Sequence, residues 1–133
     1  MQIPSNFIVV DDDPINNIVC KYVIANFAPL SGIQLFTNAE HALEWFRNEF
    51  SSVANDKECV LFLDINMPLM SGWEFLDEFV MLPDTLKAKV NIFILSSSID
   101  PEDRDQAENH PLVHGYYSKP LSKETLNLIY QQD

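Results

Sequence analysis

Five side chains with distinct chemistries stand at or near the ends of short apolar runs in this 133-residue sequence. Asp11 and Asp12 follow the first run, Asp64 follows the third, Ser96 follows the fourth, and Lys119 comes shortly after the fifth. If these runs are parallel strands of one sheet, their carboxyl ends share one edge. Three carboxylates, a hydroxyl and an ammonium group would then meet at a single place.

Charge determines what such a cluster can do. Carboxylates held within a few ångströms of one another repel and resist joint ionisation, so they favour a divalent cation with oxygen ligands. Mg²⁺ suits the set best, because it accepts a few carboxylates and keeps water at its other positions. With one lysine and one Mg²⁺ the cluster comes close to neutrality, so it can receive a dianionic phosphoryl group. A carboxylate can be the nucleophile and give an aspartyl phosphate.

Alternating strands and helices predict how this cluster is positioned. Apolar runs rich in β-branched residues predict strands buried on both faces, and apolar residues at helical spacing predict the helices between them. Five strands alternating with five helices indicate a doubly wound α/β fold with a parallel sheet of order 2-1-3-4-5. Its ligand crevice lies at the ends of strands 1 and 3. The predicted strands are residues 7–10, 33–36, 59–63, 90–95 and 115–117.

Capping residues mark where the predicted helices begin. Pro14 suits a first helical turn, and Asp13 before it is interpreted as the cap of that helix rather than as a metal ligand. The helix should end before Pro29. Ser71 and Glu74 have the form of a capping box. The other predicted caps are Asn38, Asp100 and Ser122.

Two segments are unusually polar. The polar composition of residues 51–58 predicts a loop. The helix predicted over residues 101–110 has Ala107 as its single apolar residue, so we expect it to be loosely held.

The composition limits the class of protein. The net charge is −12, so the chain should repel nucleic acid and anionic membranes. The N-terminal residues lack the basic charge of a signal peptide, and no apolar run is long enough to span a bilayer. Cys20 and Cys59 lie in apolar surroundings and are interpreted as reduced core thiols. Together these features predict a soluble, cytoplasmic protein.

Several motifs occur in a recognisable order along the chain. They are residues 9–14 (VVDDDP), residues 63–68 (LDINMP) with Ser71-Gly72, the pair Ser96-Ser97, and Tyr116 followed by Lys119-Pro120-Leu121. Each motif alone is weak, but as a set they resemble the motifs of response-regulator receiver domains. The resemblance extends from Phe7 to about Tyr130. It implies a flavodoxin-like three-layer sandwich, in agreement with the predicted strand order.

The resemblance implies a role for each acid of the cluster. Asp64 would be the phosphoacceptor. Asp11 and Asp12 would hold Mg²⁺, one of these two through a water molecule, and Asp64 would be a further ligand. The backbone carbonyl of Asn66 would complete the protein ligands.

The same resemblance implies how the phosphoryl group is bound and sensed. Ser96 would donate a hydrogen bond to it, and Lys119 would pair with it as a point charge. Tyr116 would be an aromatic switch that moves with Ser96, although a plain packing role for its ring remains open. The peptide bond between Lys119 and Pro120 is expected to be cis.

The function implied is a phosphorylation-dependent signalling switch of a two-component system or phosphorelay. A sensor histidine kinase or a histidine phosphotransfer protein would donate the phosphoryl group, and phosphorylation would change binding to a downstream protein. Such a domain catalyses only its own phosphorylation and autodephosphorylation, so we expect no enzyme in the ordinary sense. We also expect residues 1–133 to form a single receiver domain with no output domain, no nucleic-acid partner and no membrane partner.

Three other functions remain open. An aspartate-nucleophile phosphatase or phosphotransferase would need a second acid two residues after the nucleophile, where this chain has Asn66. A flavodoxin-type carrier of FMN would need a phosphate loop rich in hydroxyls and glycine after the first strand, where this chain has three acids. A degenerate receiver used only for docking would not need the intact set of acids and lysine.

Overall fold

All five predicted strands form one parallel sheet. The computed structural model describes residues 3–50 and 58–130. The strand order is β2-β1-β3-β4-β5, which confirms the predicted doubly wound topology. Of the loop predicted over residues 51–58, residues 51–57 lie outside the described part of the chain. The strands are β1 (Asn6–Val10), β2 (Gly32–Phe36), β3 (Cys59–Leu63), β4 (Val90–Ser96) and β5 (Val113–Ser118).

Helices follow each strand, so the sheet is covered on both faces. The five predicted helices are confirmed, and a sixth, one-turn helix was not predicted. It begins after Pro83, and its single buried side chain is Leu86. The helices of the described residues are α1 (Pro14–Phe27), α2 (Ala39–Asn48), α3 (Gly72–Phe79), α4 (Asp84–Lys87), α5 (Pro101–Asn109) and α6 (Lys123–Tyr130).

The core consists of two apolar clusters, one on each face of the sheet. Successive side chains of a strand point to opposite faces. Along β1, Ile8 and Val10 belong to one cluster, and Phe7 and Val9 belong to the other. Helices α2, α3 and α5 contribute to the first cluster, whereas α1 and α6 contribute to the second. Burial on both faces explains why β1 and β3 are continuous apolar runs.

Helix α1 is present where predicted, but its most regular apolar stripe does not face the core. The stripe consists of Ile15, Ile18, Val19, Tyr22 and Val23; the first four have exposed fractions between 38% and 71%, and only Val23 packs against the core. The buried positions of the helix are Asn17, Cys20 and Ile24. The spacing of the stripe therefore predicts the helix correctly without indicating which face packs on the sheet.

The predicted caps fix the loops at the carboxyl edge of the sheet. The Asp13 side chain accepts a hydrogen bond from the Ile15 N–H at 2.9 Å, so its interpretation as a helix cap is confirmed. Ser71 and Glu74 form the complete capping box of α3. These hydrogen bonds satisfy backbone donors at the helix starts and hold the preceding turns beside the strand ends.

Helix α5 buries fewer residues than the other helices that are longer than one turn. Its single buried residue is Ala107.

Cys20 and Cys59 are both buried and form no disulfide bond, as predicted. Among the residues that the structure describes, no helix is both long and apolar enough to cross a membrane.

Candidate functional site

Three aspartates converge at the carboxyl edge of strands β1 and β3. Val10 lies beside Leu63 in the parallel register, so the residues that follow them, Asp11 and Asp64, are neighbours across the sheet. The backbone N–H of Asp64 donates to the carbonyl of Val10 at 2.9 Å and fixes this arrangement. Carboxylate oxygens of Asp11, Asp12 and Asp64 all lie within 4.8 Å of one another. Asp11 and Asp64 are buried, and Asp12 is exposed.

Lys119 brings a positive charge into the same cluster. Its Nζ lies 2.6 Å from Oδ2 of Asp11 and 3.5 Å from Oδ2 of Asp64. The lysine is held there by its backbone, because its N–H donates to the carbonyl of Ser96 at 3.0 Å. The Lys119–Pro120 peptide bond that follows is cis, as expected.

Burial and the neighbouring charges shift the pKa values of Asp64 and Lys119. Burial and the nearby charge of Asp11 raise the pKa of Asp64 above its usual range, against the opposing effect of Lys119. Burial by itself would lower the pKa of Lys119, but the hydrogen bond and charge of Asp11 and the charge of Asp64 outweigh it and raise that pKa. Buried carboxylates that share one ammonium group form an environment that attracts a further cation.

Ser96 is the last residue of β4 and is completely buried beside this edge of the sheet. Its Oγ accepts a hydrogen bond from the backbone N–H of Ser98 at 3.0 Å. All the residues predicted to carry chemistry therefore lie at the ends of strands β1, β3, β4 and β5.

The sequence profile described as "Response regulator receiver domain" matches residues 7–131. The chain belongs to this family. No curated protein matches the chain significantly.

Solved structures of similar proteins agree with this assignment. A two-component response regulator from Cytophaga hutchinsonii is 30% identical to this chain. The match covers 98% of this chain and 97% of the other, with a TM-score of 0.86. A response regulator receiver protein from Dyadobacter fermentans is 26% identical over 96% of this chain and 95% of that one, with a TM-score of 0.83.

The chemotaxis response regulator CheY4 of Vibrio cholerae shows the same flavodoxin-like fold. It is 20% identical over 98% of each chain, with a TM-score of 0.73. At this level of identity the likeness extends to the fold alone.

Two asparagines of the receiver domain support Asp11 and were not singled out from the sequence. The Asn16 Nδ2 donates to Oδ2 of Asp11 at 2.8 Å, and the Asp13 backbone N–H donates to Oδ1 at 2.9 Å. The Asn17 Nδ2 donates to the backbone carbonyls of Asp11 and Phe36 at 3.1 and 3.3 Å. The signal available in the sequence was a pair of amides on the first turn of α1 directly after the acids.

Gly72 allows helix α3 to start against the backbone of Asp64. A Cβ at this position would collide with the carbonyl oxygen of Asp64 and lie 2.7 Å from the Cα of Ile65. Position 72 therefore requires glycine because a larger side chain has no space next to Asp64.

The neighbouring Asn66 lies beside the cluster, with its backbone N–H 3.4 Å from Oδ1 of Asp64.

Tyr116 links strand β5 to the loop between β4 and α5. Its half-buried ring packs against the core cluster on the α2, α3 and α5 face, and its hydroxyl donates to the Ser98 carbonyl at 3.3 Å. The guanidinium of Arg104 lies 4.7 Å from the ring centroid, within the range of a cation–π contact. The movement of this ring as a switch stays a prediction.

Removing the charge of Lys119 is expected to destabilise the metal-free fold. In Lys119→Ala the two buried aspartates would lose contacts of 2.6 and 3.5 Å with the ammonium group. Breaking a buried ion pair by removing one partner costs about 3 kcal/mol, so the free energy of unfolding in urea and EDTA should fall by that amount. Lys123→Ala, which removes an exposed lysine, is the control. Equal losses in both variants would contradict the expectation.

Proposed function

We propose that this receiver domain is a phosphorylation-dependent signalling switch that accepts a phosphoryl group on Asp64. The observation that carries the proposal is the cluster of three carboxylates within 4.8 Å with Lys119 in contact with two of them. This set combines a buried nucleophile, ligands for a hard cation and a positive charge for phosphoryl oxygens.

Hydrogen bonding favours Asp64 as the nucleophile over Asp11. Asp11 accepts three short contacts, of 2.6, 2.8 and 2.9 Å, and both of its carboxylate oxygens are engaged. Among the described residues, Asp64 makes only longer contacts, of 3.4 Å with the N–H of Asn66 and 3.5 Å with Lys119. Asp64 is therefore the buried carboxylate whose lone pairs are most available for attack.

A phosphohistidine is the donor that we propose. A carboxylate oxygen of Asp64 attacks phosphorus, a P–O bond forms as the P–N bond breaks, and the electron pair returns to the imidazole nitrogen. Lys119 faces the transferred oxygens with its positive charge, and Ser96 donates its hydroxyl hydrogen to one of them. Asp11 orients Lys119 through the contact of 2.6 Å.

The donor set fits Mg²⁺. Asp11, Asp12 and Asp64 supply hard carboxylate oxygens, and the backbone carbonyl of Asn66 is the fourth protein ligand that we propose. When bound, the ion supplies positive charge that offsets the carboxylates and the phosphoryl oxygens.

In this proposal, phosphorylation changes the conformational state of the domain itself, and the domain does not turn over a separate substrate. The position two residues after Asp64 is Asn66, which lacks the carboxyl group that a phosphatase of this type uses as a general acid. The proposed partners are a sensor histidine kinase or histidine phosphotransfer protein as donor, and a downstream protein that distinguishes the two states. The net charge of −12 disfavours nucleic acid as a partner.

Intact-mass measurement tests this function. Incubation with acetyl phosphate and Mg²⁺, or with a phosphorylated histidine phosphotransfer protein and Mg²⁺, should add one phosphoryl group to the receiver domain. The same incubations with EDTA should add none. Addition that does not depend on Mg²⁺, or no addition from any donor, would contradict the proposal.

Activation is expected to alter hydrogen exchange between residues 96 and 117. Ser96 moves toward the phosphoryl oxygens in the proposed switch, and the loop that follows it is bonded to Tyr116 and to helix α5. Because α5 buries only Ala107, it should respond more than the other helices. Exchange is compared with and without beryllofluoride in Mg²⁺, with strand β1 as the internal reference. Unchanged exchange across this range would contradict the switch.

A further inference from the structure

Ser98 is the centre of a hydrogen-bond network that reaches from the candidate site to helix α5. Its backbone N–H donates to Oγ of Ser96 at 3.0 Å. Its own Oγ donates to Oδ2 of Asp103 at 2.6 Å and accepts from the backbone N–H of Asp100 at 3.2 Å. Ser98 is thus held through its hydroxyl by the first turn of α5, while its backbone contacts the hydroxyl of Ser96.

The contact with Ser96 bears on the direction of its hydroxyl hydrogen. A serine hydroxyl has one hydrogen to donate and two lone pairs to accept. The N–H of Ser98 occupies one lone pair and so restricts the orientations that the O–H bond can take. Within residues 3–50 and 58–130 no acceptor contacts this hydrogen, which leaves it available for a phosphoryl oxygen.

The bond between Ser98 and Asp103 is the strongest link in the network. A hydroxyl that donates to a carboxylate at this distance makes a charge-assisted hydrogen bond, about twice as strong as a neutral one. Both side chains are partly buried, which limits competition from water. Loss of either side chain would leave the loop between β4 and α5 without this anchor.

We propose that Ser98 and Asp103 are positioning residues for the Ser96 hydroxyl in phosphoryl binding. Asp103 fixes the side chain of Ser98, and the backbone N–H of Ser98 fixes Oγ of Ser96. Neither residue touches the phosphoryl group. The inference rests on the proposed function, because it needs a phosphoryl group on Asp64 for Ser96 to contact.

A simpler role for Asp103 is to stabilise the start of a helix by its charge alone. Acids in the first helical turn have this effect, and Glu102 is a second acid in the same turn of α5. Glu102 is exposed, and its side chain has no hydrogen-bond or ion-pair partner among the described residues. Glu102→Ala therefore removes the same charge from the same turn without breaking the network, which makes it the matched control.

The test is the affinity of the domain for beryllofluoride, a phosphoryl mimic, in saturating Mg²⁺. Ser98→Ala and Asp103→Ala should each weaken it about tenfold, as expected for one charged hydrogen bond. Ser98→Thr and Asp103→Asn, which keep a donor or an acceptor, should stay within about threefold of the parent, as should Glu102→Ala. Affinity for Mg²⁺ alone should not change in any variant. In a Ser96→Ala background, Ser98→Ala should cause no further loss, because its effect acts through Ser96.

Parent-like affinity of Ser98→Ala, equal losses in Asp103→Ala and Glu102→Ala, or an undiminished effect of Ser98→Ala in the Ser96→Ala background would overturn the inference. Each of these results would leave the proposed function standing. A parent protein that binds no beryllofluoride in Mg²⁺ would overturn the proposed function, and the inference with it.

Discussion

Replacing Asp64 with Asn is expected to abolish covalent phosphorylation. The amide keeps the size of the side chain but lacks the anionic oxygen that attacks phosphorus. Asp64 is also the buried acid of the cluster with the longest contacts, whereas both carboxylate oxygens of Asp11, the other buried acid, are engaged by Lys119, Asn16 and the backbone of Asp13. Intact-mass spectra after incubation with acetyl phosphate and Mg²⁺ should show one added phosphoryl group in the parent and none in Asp64→Asn.

The control for this substitution is Asp13→Asn. Asp13 is two residues from Asp11 in sequence but caps helix α1, and asparagine caps a helix about as well as aspartate. The same change of acid to amide should therefore leave phosphorylation at the parental level. Equal labelling of Asp64→Asn and the parent would refute the assignment, and loss in both variants would show that labelling responds to charge rather than to the nucleophile.

Removing the carboxylate of Asp12 is expected to weaken Mg²⁺ binding at least tenfold. Outer-sphere partners of a metal are typically worth about 10–100-fold in affinity, and a direct ligand should be worth no less. Asp12 is exposed, so Asp12→Ala should leave the free energy of unfolding nearly unchanged. Isothermal titration calorimetry of the metal-free parent protein and of metal-free Asp12→Ala with Mg²⁺ gives the two affinities to be compared.

Glu40 provides a matched acid outside the cluster. It lines the same small surface cavity as Asp12, but its carboxylate is not among the three that lie within 4.8 Å. Glu40→Ala measures the general effect of one negative charge near the site. An equal loss of Mg²⁺ affinity in both variants, or parental affinity in Asp12→Ala, would show that Asp12 is not a ligand.

The strand ends made the carboxylate cluster predictable from the sequence. Strands β1 and β3 are buried on both faces, so each is a continuous apolar run with a sharp polar boundary at Asp11 and Asp64. In a doubly wound sheet these two boundaries meet where the strand order reverses. The positions of the acids therefore follow from pattern and topology alone.

The packing of α1 could not be predicted in the same way. An exposed stripe and a buried stripe have the same helical spacing, and here the stripe from Ile15 to Tyr22 is exposed. The buried face includes the polar Asn17, whose amide satisfies two backbone carbonyls at the ends of β1 and β2. Hydropathy does not predict the burial of Asn17, because the carbonyls that its amide contacts are brought to it by the fold.

The partners of the supporting hydrogen bonds could not be assigned from sequence patterns. The contacts of Asn16 with Asp11 and of Ser98 with Asp103 depend on the backbone path of two loops. Only the three-dimensional arrangement shows that the backbone of Ser98 contacts Ser96. The one-turn helix α4 was missed because four residues are too few to show a helical period.

The most direct test of the central claim is to locate the phosphoryl group chemically. Borohydride reduces an aspartyl phosphate to homoserine, which peptide mass spectrometry identifies at a defined position. After incubation with donor and Mg²⁺, homoserine is expected at position 64 and at no other acid, and it should be absent when EDTA replaces Mg²⁺. Homoserine at position 11 or 12, or an added phosphoryl mass that yields no homoserine, would contradict the claim that Asp64 is the phosphoacceptor.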